Sequence, residues 1–148
     1  MTERRQPTTE KRSVAALEGA GEPKGARRAY SVVIKGVARA KGRPRSGRDR
    51  NGRHQTYTPA TTKAWEETVG WEFVSAHGRP RLEGYLAVEI GFYGTTPVAD
   101  IDNLVKAVLD GLNEIAWVDD HQVVELHAVK RPWVRPARTE ITVRPVAV

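Results

Sequence analysis

The chain has 148 residues, carries a formal net charge of +6 at pH 7 and contains no cysteine. This length favours one compact domain, and the lack of cysteine excludes disulfides, thiolate zinc sites and cysteine nucleophiles. No apolar run approaches the roughly 20 residues that a membrane-spanning helix needs, and the N-terminus lacks the apolar run of a signal peptide. We therefore expect a soluble, cytoplasmic protein with no membrane partner.

The charge is distributed unevenly along the chain. Residues 1–53 hold 15 Lys and Arg against 5 Asp and Glu, whereas residues 54–148 hold 9 against 13. Basic side chains attract a polyanion, and clustered carboxylates hold a hard divalent cation. A disordered tail that keeps the protein soluble would also explain a basic N-terminal half. The overall pattern favours nucleic-acid binding.

The first half of the chain predicts a tail, a strand, a loop and a helix. Residues 1–28 are polar and without periodicity, which is typical of a disordered tail, so the folded domain is predicted over 29–148. Residues 29–37 alternate as a strand does. Residues 38–57 are rich in Gly and Arg and predict a mobile loop. Its candidate DNA-binding residues are Lys41, Arg43, Arg45, Arg48, Arg50 and Arg53. A helix follows, with Thr58 and Pro59 at its start and Gly78 past its end.

The second half predicts three strands and one more helix. The strands are 85–93, 123–131 and 139–145, and the helix is 102–116, whose apolar residues fall on one face. The resulting order, β-α-β-α-β-β, predicts an α+β fold. We expect a single mixed sheet of about four strands with two helices packed on it.

Five aspartates lie between residues 100 and 120: Asp100, Asp102, Asp110, Asp119 and Asp120. Asp100 ends a loop and Asp102 opens a helix, so their carboxylates can converge. A helix of about 15 residues spans roughly 22 Å, so Asp119 or Asp120 rejoins them only if the chain returns. Repulsion between like charges at close range is relieved by a cation. We therefore hypothesise that Asp100, Asp102 and one of Asp119 and Asp120 bind a divalent metal.

Each of these residues also has an ordinary structural explanation. Asp102 could be a helix N-cap, and Lys106 could be its i,i+4 ion-pair partner. The pair Asp119 and Asp120 could form a solvated turn, and Asp110 is expected to be a plain surface residue. The four histidines lack the spacing of a zinc pair and are expected to be structural or exposed.

The segment DIDNLVKAVLDGLN, followed by WVDDHQVVE, resembles the RusA family of Holliday junction resolvases, which are common in phages and prophages. The upstream KGRPR and YTP resemble phage-type members, so the resemblance extends over about residues 29–146. The residues that match the family pattern are Asp100, Asp102, Asn103, Lys106, Asp110, Leu112, Trp117, Asp119, Asp120 and Gln122.

The resemblance implies a mixed α/β homodimer that cleaves a four-way DNA junction in recombination and repair. It implies that Asp100, Asp102 and Asp120 are catalytic and bind Mg²⁺, or Mn²⁺ in its place, and that Lys106 is required for cleavage. This chemistry is consistent with phosphodiester hydrolysis, because bound Mg²⁺ lowers the pKa of its water and a lysine can stabilise transition-state charge. Two alternatives remain: a metal-dependent nuclease that acts on other branched or flapped DNA, and a non-catalytic DNA-binding protein of the same fold.

Overall fold

The computed structural model describes residues 28–42, 45–57 and 60–148. The predicted tail therefore lies outside the described residues, except for Arg28, whose guanidinium carbon lies 5.4 Å from the centre of the Tyr30 ring. The candidate DNA contact Arg43 and the predicted helix start at Thr58 and Pro59 also lie outside them. Among the helices of the described ranges, none has the length and apolar character needed to span a bilayer.

The described residues form two helices, a four-stranded sheet and a separate two-stranded hairpin. The elements are β1 (Tyr30–Lys35), β2 (Arg45–Arg48), β3 (His54–Tyr57), α1 (Ala60–His77), β4 (Leu86–Tyr93), α2 (Ile101–Leu112), β5 (Val123–Arg131) and β6 (Arg138–Pro145). The main sheet has the order β1-β6-β4-β5. Strands β4 and β5 are parallel, and the other pairs are antiparallel. The predicted α+β fold with one mixed sheet is confirmed.

The prediction of a mobile loop over residues 38–57 is wrong for most of that segment. Strands β2 and β3 pair antiparallel, with Arg48 opposite His54. Asp49 closes the turn, because its Oδ1 accepts hydrogen bonds from the backbone N–H groups of Asn51 and Arg53, each at 2.9 Å. Gly52 supplies the positive φ of +76° that the turn requires. The sequence hides these strands because they are short and lack alternating apolar residues.

Helix α2 is shorter than its apolar pattern predicts. It ends at Leu112 rather than at residue 116, and Glu114 adopts a left-handed φ of +65°. The chain then turns back, and Trp117 is fully buried. Ile115 still packs against the core from this turn. The apolar period of the helix therefore continues to Ile115 in the sequence, although Ile115 lies in a turn.

Both helices pack on the same face of the main sheet and enclose one hydrophobic core. The predicted apolar faces are confirmed, because their residues are buried together: Trp65, Val69 and Phe73 of α1, Leu86, Val88, Ile90 and Phe92 of β4, and Leu104, Val105, Val108 and Leu112 of α2. Glycines let the helices approach closely. A Cβ on Gly111 would lie 2.8 Å from the Glu66 carbonyl oxygen, and one on Gly70 would lie 2.9 Å from Ile115 Cδ1.

The unit β4-α2-β5 determines where the aspartates lie. Because β4 and β5 are parallel, Leu86 pairs with Val123 at one end and Tyr93 with Arg131 at the other. Helix α2 connects them and must run back from the second end to the first. Residues at the start of α2 therefore lie near Arg131, and residues that follow its end lie near Val123.

Candidate active site

Asp100 and Asp102 lie at the N-terminal end of α2. Asp100 is the N-cap residue, and its carbonyl accepts the Leu104 N–H at 3.0 Å, but its side chain makes no capping hydrogen bond. The only polar contact of its carboxylate within the described residues is Asn103 Nδ2, at 3.5 Å. Asp102 lies in the first helical turn, is exposed, and forms no ion pair with a described residue. The interpretation of Asp102 as the N-cap is therefore wrong.

The two carboxylates line an open groove of about 780 Å³. The opposite wall is the C-terminal end of β5 and the turn after it: Ala128, Val129, Lys130, Arg131 and Trp133. Lys130 fixes the loop before α2, because its Nζ donates to the Ala99 carbonyl at 2.7 Å and to the Pro97 carbonyl at 3.1 Å. The backbone that carries Asp100 is thereby tied to β5.

Lys106 lies one helical turn beyond Asp102 and is exposed. The two side chains do not form the i,i+4 ion pair that a purely structural role would require, since no carboxylate of the described chain lies within 4 Å of the Lys106 ammonium. The ammonium can therefore meet a phosphate without first breaking an internal ion pair.

Asp119 is the cap of a single 3₁₀ turn, Asp120–Gln122, that precedes β5. Its Oδ1 accepts the His121 N–H at 3.0 Å and lies 2.8 Å from His121 Nδ1. The Gln122 side chain accepts the Asp119 N–H in return, at 2.9 Å, which completes a capping box. Hydrogen bonds from the His121 backbone and side chain lower the pKa of the exposed Asp119 carboxyl. Asp119 therefore has a structural role of its own.

Asp120 is partly buried, and its Oδ1 accepts the indole N–H of Trp117 at 2.7 Å. Burial raises the pKa of the Asp120 carboxyl. The Trp117 hydrogen bond opposes this shift, and the charges of Asp110 and Asp119 add to it. The ionised form is therefore less favoured at Asp120 than at its neighbour. Of the two residues, Asp120 would gain more from a nearby cation.

Lys41 and Asp110 belong to an internal ion-pair cluster. Lys41 Nζ lies 2.7 Å from Glu66 Oε1 and 2.7 Å from Asp110 Oδ2, and its side chain is 18% exposed. Burial alone would lower the pKa of Lys41, but its hydrogen bonds to Asp110 and Glu66 outweigh burial, so the pKa is raised. Asp110 is therefore not the plain surface residue that we expected. Because Lys41 already has two carboxylate partners, a phosphate contact at Lys41 would have to replace them.

The predicted metal-binding carboxylates do not converge within the described chain. Asp100 and Asp102 lie beside Arg131, whereas Asp120 comes before Val123, at the opposite end of a nine-residue strand. Such a strand spans about 30 Å at 3.3 Å per residue. No three His, Asp or Glu side chains are grouped for a metal ion in the part of the chain that the structure describes. The pair Asp100 and Asp102 suits Mg²⁺, which usually takes one or two carboxylates together with waters and substrate phosphates.

Comparison with known proteins decides the family. The family model described as endodeoxyribonuclease RusA matches residues 35–144, which include both helices and most of the main sheet. The chain belongs to the RusA family. It is therefore an endodeoxyribonuclease, an enzyme that hydrolyses phosphodiester bonds within DNA.

Three relatives illustrate how the RusA similarity is distributed. YqaN, an uncharacterized protein of Bacillus subtilis (strain 168), is 29% identical over 139 residues, which cover 78% of this chain and 95% of YqaN. The crossover junction endodeoxyribonuclease RusA of Escherichia coli (strain K12) is 44% identical over 45 residues, or 30% of this chain and 38% of that enzyme. The enzyme of the same name from Enterobacteria phage 82 matches to the same extent.

Three arginines of the two-stranded hairpin formed by β2 and β3 are exposed to solvent in this RusA-family chain. Arg48, at the end of β2, and Arg50 and Arg53, in the turn, are exposed and form no ion pair with a carboxylate of the described ranges. Arg45 lies at the start of β2. The hairpin can therefore carry a cluster of positive charge to a polyanion.

Sequence reasoning missed the second wall of the groove. Lys130, Arg131 and Trp133 reach the Asp100–Asp102 pair only because β5 pairs parallel to β4, a partnership that no residue in β5 reveals. The one available signal was the tryptophan in RPWVRP, because a turn seldom needs a large aromatic residue.

Proposed function

We propose that this chain is a Mg²⁺-dependent endonuclease that resolves four-way DNA junctions by paired cleavage, in recombination and repair. The observation that carries the proposal is the groove at the start of α2. It presents two exposed carboxylates, Asp100 and Asp102, without an ion-pair partner in the described chain, and Lys106 is one turn away. When bound, Mg²⁺ would supply an activated water and stabilise charge on the phosphoryl oxygens.

Each side chain has a specific role in this proposal. Asp100 and Asp102 hold the metal, and the helix N-terminus stabilises their negative charge when no metal is bound. The Lys106 ammonium stabilises charge that develops on the scissile phosphate. Arg45, Arg48, Arg50 and Arg53 contact phosphates away from the cleavage point, with Arg43 as a further candidate. Binding and cleavage therefore depend on separate sets of residues.

Asp120 needs a second copy of the chain to join this site. Strand β5 is an edge strand of the main sheet, and its Val124 and Leu126 are 51% and 49% exposed. An open apolar edge is suited to pairing with another strand. Antiparallel pairing of two β5 strands about a two-fold axis would place Asp120 of one copy beside Asp100 and Asp102 of the other. The proposed homodimer would hold two such sites, as paired cleavage of a two-fold symmetric junction requires.

A junction cleavage assay tests the enzymatic part of the proposal. Wild-type protein should nick a synthetic four-way junction with Mg²⁺ and not with EDTA. Asp102→Asn should lose cleavage by on the order of 10²-fold or more while its junction affinity stays within about twofold, because affinity is assigned to the arginines. Forks, flaps and linear duplex of the same length are included. Equal cleavage of forks or flaps would contradict junction specificity, and an active Asp102→Asn would remove Asp102 as a ligand.

A subunit-mixing experiment tests the shared site. Asp102→Asn and Asp120→Asn proteins are each inactive in the proposal, but a mixed dimer would contain one site with both wild-type aspartates. Mixing should therefore restore nicking of one strand without full resolution. The control mixes Asp102→Asn with Asp100→Asn. Every site in that mixed dimer lacks either Asp100 or Asp102, so no intact site can form. Mixtures that stay inactive, with dimer exchange verified by mass, would show that the site is not shared.

A further inference from the structure

The four tryptophans of the chain fall into two classes. Trp65 and Trp117 are buried in the core, whereas Trp71 and Trp133 are 70% and 76% exposed. An exposed indole leaves a large apolar surface in water, and Trp is enriched where a partner covers it. Trp71 lies on α1 and does not line the groove, but Trp133 does. The exposure of Trp133 therefore coincides with the candidate site.

We infer that Trp133 is a stacking platform for an unpaired nucleobase of the DNA substrate, next to the scissile phosphate. The inference rests on the proposed function and adds a specificity-determining residue to it. Trp133 lines the same groove as Asp100 and Asp102, so a base on the indole and a phosphate on the carboxylate site can belong to neighbouring nucleotides. The exposed Arg131 lies on the same wall, where it favours an anionic ligand.

The turn that carries Trp133 is held firmly at both ends. The Arg131 carbonyl accepts hydrogen bonds from the N–H groups of Gly94, at 3.1 Å, and Val134, at 3.2 Å. At the far end, the Gly36 N–H donates to the Ala137 carbonyl at 3.0 Å. Gly94 also lies so close to Ala137 that a Cβ on Gly94 would be 2.7 Å from the Ala137 Cα. A platform on such a turn loses little conformational freedom on binding, which favours affinity.

A nucleobase is the ligand whose chemistry suits an isolated indole in a charged groove. Every base has a π-face, so stacking on an aromatic side chain tolerates any sequence. Bases inside a duplex are already stacked and paired, and extracting one costs a few kcal/mol, but a base at a branch point is released more easily. Trp133 would therefore contribute to the preference for branched over linear DNA.

The test compares variants of the full-length protein in binding to a four-way junction and to a linear duplex, without Mg²⁺. Trp133→Ala should weaken junction binding by roughly 5- to 150-fold, the range measured when a stacking aromatic is removed. Duplex binding should change less than about twofold, because phosphate contacts dominate there. Trp133→Phe should restore most of the junction affinity. Trp71→Ala, an equally exposed tryptophan on α1, is the matched control and should change neither affinity.

Indole fluorescence gives a second, independent measurement. In a Trp71→Phe protein, addition of the junction should quench Trp133 emission more strongly than addition of the duplex. The quenching should disappear when Trp133 is also replaced. Unchanged junction affinity of Trp133→Ala, an equal loss for junction and duplex, or a Trp133→Ala protein that changes from dimer to monomer would each overturn the inference. The last result would show that a second copy of the chain covers the indole instead.

The result is separable from the proposed function. Affinities without Mg²⁺ test stacking whether or not the wild type cleaves, and melting temperatures of the variants check that they fold. A wild type that binds junctions through Trp133 but never cleaves would refute the nuclease proposal and leave the platform standing. A wild type that cleaves junctions, together with a Trp133→Ala variant of unchanged affinity, would refute the stacking platform and leave the nuclease proposal standing.

Discussion

Replacement of Lys41 by methionine should destabilise the fold and leave DNA binding nearly unchanged. Methionine keeps most of the aliphatic stem and removes the ammonium, so Glu66 and Asp110 lose their shared partner. Each hydrogen bond between charged groups contributes about 1.5–3 kcal/mol. The three side chains are only 17–30% exposed. Water would solvate the freed carboxylates in part, so we expect a net loss of about 2–3 kcal/mol in the free energy of unfolding.

Urea denaturation and thermal melts measure this loss. The melting temperature should fall by about 5–10 °C, since 1 kcal/mol corresponds to roughly 2–4 °C in a domain of this size. The matched control is Lys63→Met on α1, whose lysine is exposed and forms no ion pair with a described residue. The control should change stability by less than about 0.5 kcal/mol.

The pH dependence supplies a further check on the same variant. The pKa of Lys41 is raised above its ordinary value of 10.5 in the folded chain. Its stabilising contribution is therefore fully present below pH 10.5 and is lost as the pH rises through the raised pKa. The difference between wild type and Lys41→Met should be constant from pH 7 to 9 and shrink above 10.5. A stability loss below about 0.5 kcal/mol at pH 7 would refute the structural role of Lys41. A flatter salt dependence of DNA binding would show instead that Lys41 contacts a phosphate.

Three other variants test other parts of the molecule. Lys106→Ala should lower the single-turnover cleavage rate by on the order of 10²-fold at saturating Mg²⁺, and a fall of less than about threefold would mean that Lys106 acts only as a surface residue. A variant with Arg48, Arg50 and Arg53 all neutralised should bind DNA with a weaker salt dependence. The slope of log affinity against log salt concentration should fall by about 0.9 for each DNA phosphate that the variant no longer neutralises. An unchanged slope would exclude the hairpin from the interface. Gly111→Ala should destabilise the protein by about 1–3 kcal/mol in urea denaturation, because its Cβ would lie 2.8 Å from the Glu66 carbonyl oxygen. A variant as stable as wild type would show that the helices can separate without cost.

The main elements could be predicted from the sequence because their apolar residues repeat with the period of the structure. The alternating Leu86, Val88 and Ile90 predict a strand on which these three residues share a buried face, and the pattern from Leu104 to Leu112 predicts a helix. Polar strands gave no such signal, so the hairpin of β2 and β3 was missed. The end of α2 was misplaced because Ile115 continues the apolar period from a turn.

The site was only partly predictable, for a physical reason. Neighbours along the chain are constrained by local geometry, so the closeness of Asp100 and Asp102 followed from their spacing at a helix start. Contacts between distant segments depend on strand order and direction. The parallel pairing of β4 with β5 brings Lys130 and Trp133 to the groove and leaves Asp120 at the other end. The partnership of Lys41 with Glu66 and Asp110 is equally remote in the sequence.

The position of the two aspartate groups at opposite ends of α2 has a consequence for the regulation of such an enzyme. In the proposed dimer each site takes aspartates from both copies, so activity would rise with the square of protein concentration at high dilution. Trace amounts of the nuclease would then be silent on chromosomal DNA, and the enzyme would become active only above a threshold of synthesis. The concentration of the enzyme, rather than an inhibitor, would then limit unwanted cleavage of cellular DNA.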